Sequence, residues 1–196
     1  MQAFGGAWTL LKLEVLEKYL NFYITVMKNK NFKLCYIDAF AGSGEVQVRG
    51  LGPIPGSALR AIDYPFNRYI FIDSNQYYIK ILAENIRRKN PALNTEFITG
   101  DCNSLLSTIT SFDWYKNYWR GVIFLDPYAM NLKWSSLEAI AQTEVFDVWY
   151  LFPLSAVNRL LRRDGEILDS HRGKINDIIG TDDWERELYY IESRLK

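Results

Sequence analysis

Between residues 9 and 28 apolar side chains return every three or four positions: Leu10, Leu13, Leu16, Leu20, Tyr23, Ile24 and Met27, with Lys12, Glu14, Glu17 and Lys18 between them. That spacing predicts an amphipathic helix with Thr9 as its N-cap. Asn29-Lys30-Asn31 breaks it, and the apolar run Leu34-Cys35-Tyr36-Ile37 then stops at Asp38, which predicts a buried strand over 33–38. Glycines and prolines from 45 to 56 read as a loop, and Ser57 opens a helix over 57–61. The alternation then repeats. Strands are predicted at 69–72, 95–98, 121–125 and 145–152, separated by helices at 77–89, 103–110 and 135–142, and the chain from Ser155 onward reads as helical. Strand alternating with helix predicts an α/β domain with a parallel sheet covered on both faces. We divide this single domain into an N-terminal helical segment (1–32), a core (33–153) and a helical C-terminal tail (154–196).

Composition narrows the picture. The 196 residues include two Cys and one His, too few for a zinc site, and the cysteines do not form a disulfide framework; the chain reads as a protein of a reducing compartment, the cytoplasm. No apolar run is long enough to span a membrane, and the start lacks the basic and apolar regions of a signal peptide. Lys and Arg number 23 and Asp and Glu number 23, so the formal net charge is zero. A protein held to nucleic acid mainly through phosphates usually carries a basic excess, so any such surface here is local. Arg159, Arg162, Arg163, Arg172 and Lys174 are the candidates, although the interleaved Asp164 and Glu166 suit a solvated helix as well.

The candidate chemistry sits where the strands stop. Four of the five end in or are closely followed by an acid: Asp38, Asp73, Asp101 and Asp126. Any one of these fits a turn or a helix cap. Together they fit the crevice beyond the carboxyl ends of a parallel sheet, where strand order reverses and ligands bind. Gly42 and Gly44 follow the first strand, where the absence of a side chain lets a ligand approach the backbone. A dinucleotide site would add a third glycine and a helix N-terminus directly after the turn, whereas a long segment intervenes here. Asp73 stands where a carboxylate accepts hydrogen bonds from both hydroxyls of a ribose. Ribose without pyrophosphate points to S-adenosylmethionine.

Asp38-Ala39-Phe40-Ala41-Gly42-Ser43-Gly44, Phe71-Ile72-Asp73, Gly100-Asp101-Cys102 and Leu125-Asp126-Pro127-Tyr128 resemble, in order and spacing, the successive motifs of class I S-adenosylmethionine-dependent methyltransferases. The chain most resembles the three-Cys-motif partner (TcmP) family within them. The narrower likeness rests on 12–19, 36–42, 56–62, 149–153 and Gly180-Thr181-Asp182-Asp183-Trp184. The resemblance implies a Rossmann-like three-layer sandwich. It implies that Asp38, Phe40, Gly42 and Gly44 lie at the methionine end of the cofactor, that Asp73 and Ser74 hold the ribose, and that Asp101 and Cys102 flank the adenine. It places Asp126, Pro127 and Tyr128 where amino-methyltransferases hold and stack their substrate. An exocyclic amine is a poor nucleophile while its lone pair is delocalised, so a carboxylate and a carbonyl accept its hydrogens and aim the pair, while an aromatic ring stacks on the flipped base. Here Asp126 and Tyr128 are separated by one residue where the usual motif has two. Trp134 either supplies a ring or packs the following helix. The resemblance further implies association with a separate cysteine-rich protein, in a mobile-element or defence setting, and leaves open an inactive partner protein that kept only the fold. Nucleic acid is the substrate class by analogy.

Other residues read more plainly. Cys35 belongs to an apolar strand, Cys102 lacks an activating partner, and His171 lies in a polar tail. Phe112, Trp114, Tyr115, Tyr118 and Trp119 either stack bases or pack the sheet edge. Class I methyltransferases carry seven strands, of which five are legible here, so the last two are expected to be missing. A bare fifth strand invites aggregation, which predicts cover from a partner, a second copy of the chain or the charged tail.

Overall fold

Apolar runs of four residues, 34–37, 69–72 and 122–125, suit strands buried on both faces, and each is followed by an acid. A computed structural model describes residues 6–162 and 164–193. In chain order the elements are α1 (Ala7–Met27), β1 (Lys33–Asp38), β2 (Glu45–Val48), β3 (Gly52–Pro55), α2 (Ser57–Ala61), β4 (Arg68–Asp73), α3 (Gln76–Lys89), β5 (Thr95–Thr99), α4 (Cys102–Thr110), β6 (Trp119–Leu125), α5 (Trp134–Ala141), β7 (Phe146–Tyr150), α6 (Leu154–Leu160), α7 (Asp169–Ile179) and α8 (Asp183–Ser193). The main sheet runs β5-β4-β1-β6-β7 with every pair parallel. Strand order therefore reverses between β1 and β6, and Asp38 and Asp126 stand on either side of that switch point.

Alternate residues of each strand face opposite layers. On one face Tyr36, Tyr69, Phe71, Val122 and Phe124 pack against Leu16, Leu20 and Tyr23 of α1, Leu59 of α2 and Leu82 and Ile86 of α3. On the other, Cys35, Ile37, Ile70, Ile72, Ile123 and Leu125 pack against Leu106 of α4 and Ile140 of α5. Helix, sheet and helix make three layers, the α/β architecture expected. Trp114 is buried in the second layer, edge-on to Phe112, Trp119 and Phe146, and its indole N–H donates to the Ile109 carbonyl at 2.7 Å. Trp114 and Trp119 thus pack the sheet margin, while Phe112, Tyr115 and Tyr118 stay largely exposed.

Two local expectations are corrected. Thr9 is not the N-cap of α1: its N–H donates to the Gly6 carbonyl at 3.0 Å, so it lies inside the first turn and Gly6 is the cap. Residues 45–56 are not a plain loop. β2 and β3 form a separate antiparallel hairpin that pairs Glu45 with Pro55 and Gln47 with Pro53. Proline lacks the ladder N–H but is tolerated in a short edge strand, so punctuation that reads as a breaker hid a hairpin.

Beyond β7 the described chain is helical, and no further strand joins the sheet among the described residues. The faces of β7 are covered in part, although Asp147 and Val148 stay exposed. Tyr19 of α1 lies 4.9 Å, ring to ring, from Trp149 and its hydroxyl donates to Asp147. On the opposite side Tyr150 packs against a small cluster built from Val157 of α6 and Ile175 and Ile178 of α7. The tail and the first helix thus supply the facial cover, while the outer edge of β7 has no strand beside it among the described residues. No described helix is long and apolar enough to cross a membrane.

Candidate active site at the strand ends

Where β1, β4 and β6 end and α4 begins, a cavity of about 940 Å³ opens. Of the residues singled out in the sequence, Phe40, Asp73, Ser74, Asp101, Cys102, Asp126 and Tyr128 line it. Asp38, Gly42, Gly44 and Pro127 do not.

Asp73 ends β4. Its Oδ2 accepts from the Gly42 N–H at 2.9 Å and its Oδ1 from the Asn75 N–H at 2.8 Å. Two backbone donors fix the carboxylate and leave lone pairs on both oxygens for a pair of ligand hydroxyls. Gly42 reaches Asp73 because the turn after β1 takes it to φ +58°, in the left-handed region that glycine adopts freely. Asn75 caps α3 and so stiffens the same corner. Asp101 caps α4, where the Ser104 backbone N–H holds its carboxyl below the usual range. Cys102 is buried, and burial, reinforced by the Asp101 charge, pushes its thiol up to about 12, so it offers no thiolate at neutral pH.

Asp38 is wholly buried behind this wall. Its Oδ2 accepts from the Ser57 hydroxyl at 2.6 Å and its Oδ1 from the Phe40 N–H at 3.2 Å. Both oxygens are turned inward, which is why it is absent from the cavity surface. Burial raises its carboxyl to about 7; the Ser57 and Phe40 hydrogen bonds and the Lys12 charge oppose that rise, and Asp126 adds to it. Gly44 is also packed inside, where a Cβ would meet Leu82 at 2.6 Å and Leu59 at 2.9 Å.

Asp126, at the end of β6, is ion-paired through Oδ2 with Lys12 of α1. Sequence reasoning missed this contact, and the signal was present. Lys12, Leu16 and Leu20 are spaced four apart, and the last two are fully buried, so Lys12 prolongs the buried stripe by one turn. A cation on an apolar stripe needs an anion. Tyr128, 69% exposed, stands on the cavity wall two residues further on, followed by Ala129 at φ +55°. Asn103 ties this loop to α4: its Oδ1 accepts from the Lys133 N–H and the Ser136 hydroxyl, and its amide donates to the Asn131 carbonyl. Trp134 is not on the cavity wall. Its ring lies against Gly180 at the left-handed end of α7, so it packs.

The tail closes the far side with Arg159 of α6 and Lys174 and Asp177 of α7. Arg162 is instead paired with Asp164, and Arg172 with Asp169 and Glu185. Arg163 lies outside the described residues. His171 is partly exposed and does not line the cavity.

No protein-family model matches the chain, and no curated protein matches its sequence. Among solved structures it is similar to protein LPL1258 from Legionella pneumophila, of family-model DUF519, at 17% identity and a TM-score of 0.57, covering 84% of this chain and 76% of that one. Weaker likenesses include Trm1 from Pyrococcus horikoshii with S-adenosyl-L-methionine (14% identity, TM-score 0.40, 64% of this chain and 32% of that one). Another is an S-adenosylmethionine-dependent methyltransferase from Clostridium acetobutylicum (12% identity, TM-score 0.38, 67% and 46%). The parallel sheet order is that of a Rossmann-like α/β fold, and the Legionella match shares the fold.

Proposed function

We propose that this chain is a methyltransferase-like protein of the three-Cys-motif partner type that binds S-adenosylmethionine and methylates an amino group, with nucleic acid as the leading substrate. One observation carries the reading: Asp73, Asp101 and Asp126 line a single cavity at the carboxyl ends of a doubly wound sheet. The donor set fits the cofactor. Asp73, already oriented by two backbone N–H groups, accepts the ribose hydroxyls; Ser74 and Phe40 flank it; Asp101 and Cys102 border the base. Bound there, the cofactor supplies an electrophilic methyl group. Asp38 and Gly44 act from behind, holding the turn between β1 and the hairpin.

On the substrate side Asp126 accepts hydrogens from the acceptor amine and turns its lone pair toward the methyl, while the Tyr128 ring lies against the base. Lys12 orients Asp126 through their ion pair. A second reading, an inactive partner protein of the same fold, draws support from that Lys12 pairing and from the single residue between Asp126 and Tyr128. In both readings the separate cysteine-rich protein is the expected partner and the cytoplasm the expected location.

Calorimetry with S-adenosylhomocysteine tests the cofactor. The folded protein should bind it, and Asp73→Ala should weaken binding at least about tenfold through the loss of two hydrogen bonds to a charged group. No heat of binding from folded wild-type protein overturns the proposal. Radiolabelled methyl transfer to total nucleic acid, abolished in Asp126→Ala, separates an enzyme from an inactive partner.

A further inference from the structure

The cavity wall is divided by charge. On the β4 and α4 side stand Asp73 and Asp101; on the tail side stand Arg159 and Lys174, with Lys133 from the start of the α5 segment. Asp126 between them is neutralised by Lys12. Arg162 and Arg172, the other described cations of the tail cluster, are consumed in ion pairs with Asp164, Asp169 and Glu185. Arg159 and Lys174 form no ion pair among the described residues, so the tail presents its unpaired cations to the cavity. Among the described residues Asp177 is the one acid lining that side. At about 940 Å³ the space lies near the top of the roughly 300–1,000 Å³ typical of small-molecule sites, which leaves room for a second group beside a nucleoside.

We propose that Arg159 and Lys174 are the phosphate-binding wall of the substrate subsite, so that the amine held at Asp126 belongs to a nucleotide of a single-stranded nucleic acid. This rests on the function proposed above and adds to it the residues that choose the substrate. The acids suit the hydroxyls and amino group of a nucleoside and repel phosphate. A guanidinium fork and an ammonium on one wall of a concave surface suit a phosphodiester, which the guanidinium grips through two parallel hydrogen bonds, and a concave wall concentrates their field. A small uncharged amine would leave both cations without a role. The cavity is also a place where the tail meets the strand ends.

The test is fluorescence anisotropy of a short labelled single-stranded oligonucleotide, as RNA and as DNA, with saturating S-adenosylhomocysteine at several salt concentrations. Wild type should bind at least one of the two. Arg159→Gln with Lys174→Gln should weaken binding about tenfold whatever the sequence, and should lower the slope of log affinity against log salt by about 0.7 per phosphate contact removed. Affinity for S-adenosylhomocysteine should not change, which also shows that the variant is folded. Arg88→Gln, in the last turn of α3 at the opposite end of the sheet, should leave oligonucleotide binding intact. The proposal is overturned by absence of oligonucleotide binding in a protein that binds S-adenosylhomocysteine, by an equal loss in Arg88→Gln, or by a double variant that keeps its affinity and salt slope. It is equally overturned if the double variant loses S-adenosylhomocysteine instead, since the cations would then hold the cofactor's carboxylate. Failure of folded wild-type protein to bind S-adenosylhomocysteine at all removes the underlying function.

Discussion

Asp38 shows how a strand-end acid can serve the site without touching it. Wholly buried, its carboxyl is pushed up to about 7 although the Ser57 hydroxyl and the Phe40 N–H donate to it. In the unfolded chain the same group titrates near its ordinary value of 3.8. Between those values the native state keeps a proton that the unfolded state has lost, so the stability Asp38 contributes is present at low pH and falls as pH rises from about 4 to about 7, then levels off. Asp38→Asn removes that dependence and can keep both partners, since the Asn oxygen accepts from Phe40 and its amide donates to the Ser57 oxygen. Urea unfolding should find the variant more stable than wild type at pH 8, by on the order of 4 kcal/mol, with little gain at pH 4. An equal difference at both values rules out this account. The sequence marks all four acids but not which faces inward, because that depends on Ser57, which lies beyond the hairpin. It marks Lys12 only to a reader who asks why a cation prolongs a buried stripe.

The main strands were legible at the level of the element because apolar runs stop at an acid, a glycine or a proline, and no shorter motif competes with that signal. β2 and β3 were not: each has four residues, two of the eight are proline, and neither side has a sustained alternation to set against the glycines around them. The β1–β6 contact was also hidden, since pairing partners far apart in sequence leave no local mark. Gly121 records it. A Cβ there would stand 2.4 Å from the Cys35 carbonyl oxygen of β1 and 2.8 Å from the Phe146 ring of β7, so neither neighbour can give without shifting a strand. Gly50, in the hairpin turn at φ +85°, has nothing within 4 Å of its added Cβ. Gly121→Ala should therefore cost about 3 kcal/mol through overpacking, against about 1 kcal/mol of backbone strain in Gly50→Ala. Denaturant unfolding of the two variants checks the order, and equal losses would show that the β1–β6–β7 approach is looser than described.

Taken as a whole, the molecule sets a large core beside a small one, and zero net charge conceals where its charges sit. The sheet is sealed by two layers of buried apolar side chains, whereas the tail rests on Val157, Ile175 and Ile178 with partly buried neighbours such as Tyr150 and Trp184. Exposed or half-exposed ion pairs, Arg172 with Glu185 and Asp169 among them, add little to hold it, since such pairs contribute about 0–1 kcal/mol each. The tail nonetheless carries the cationic wall of the cavity, so the less stable unit supplies one side of the proposed subsite, as expected of elements that must yield to a ligand. Native-state hydrogen exchange should resolve this. Amides of α7 and the start of α8 should open at lower denaturant than those of β1, β4 and β6, whose exchange should follow global unfolding. Adding the oligonucleotide with S-adenosylhomocysteine should slow exchange in α7 more than S-adenosylhomocysteine alone does. A single exchange isotherm for tail and sheet would instead make the molecule one cooperative unit, with the cationic wall as rigid as the acidic one.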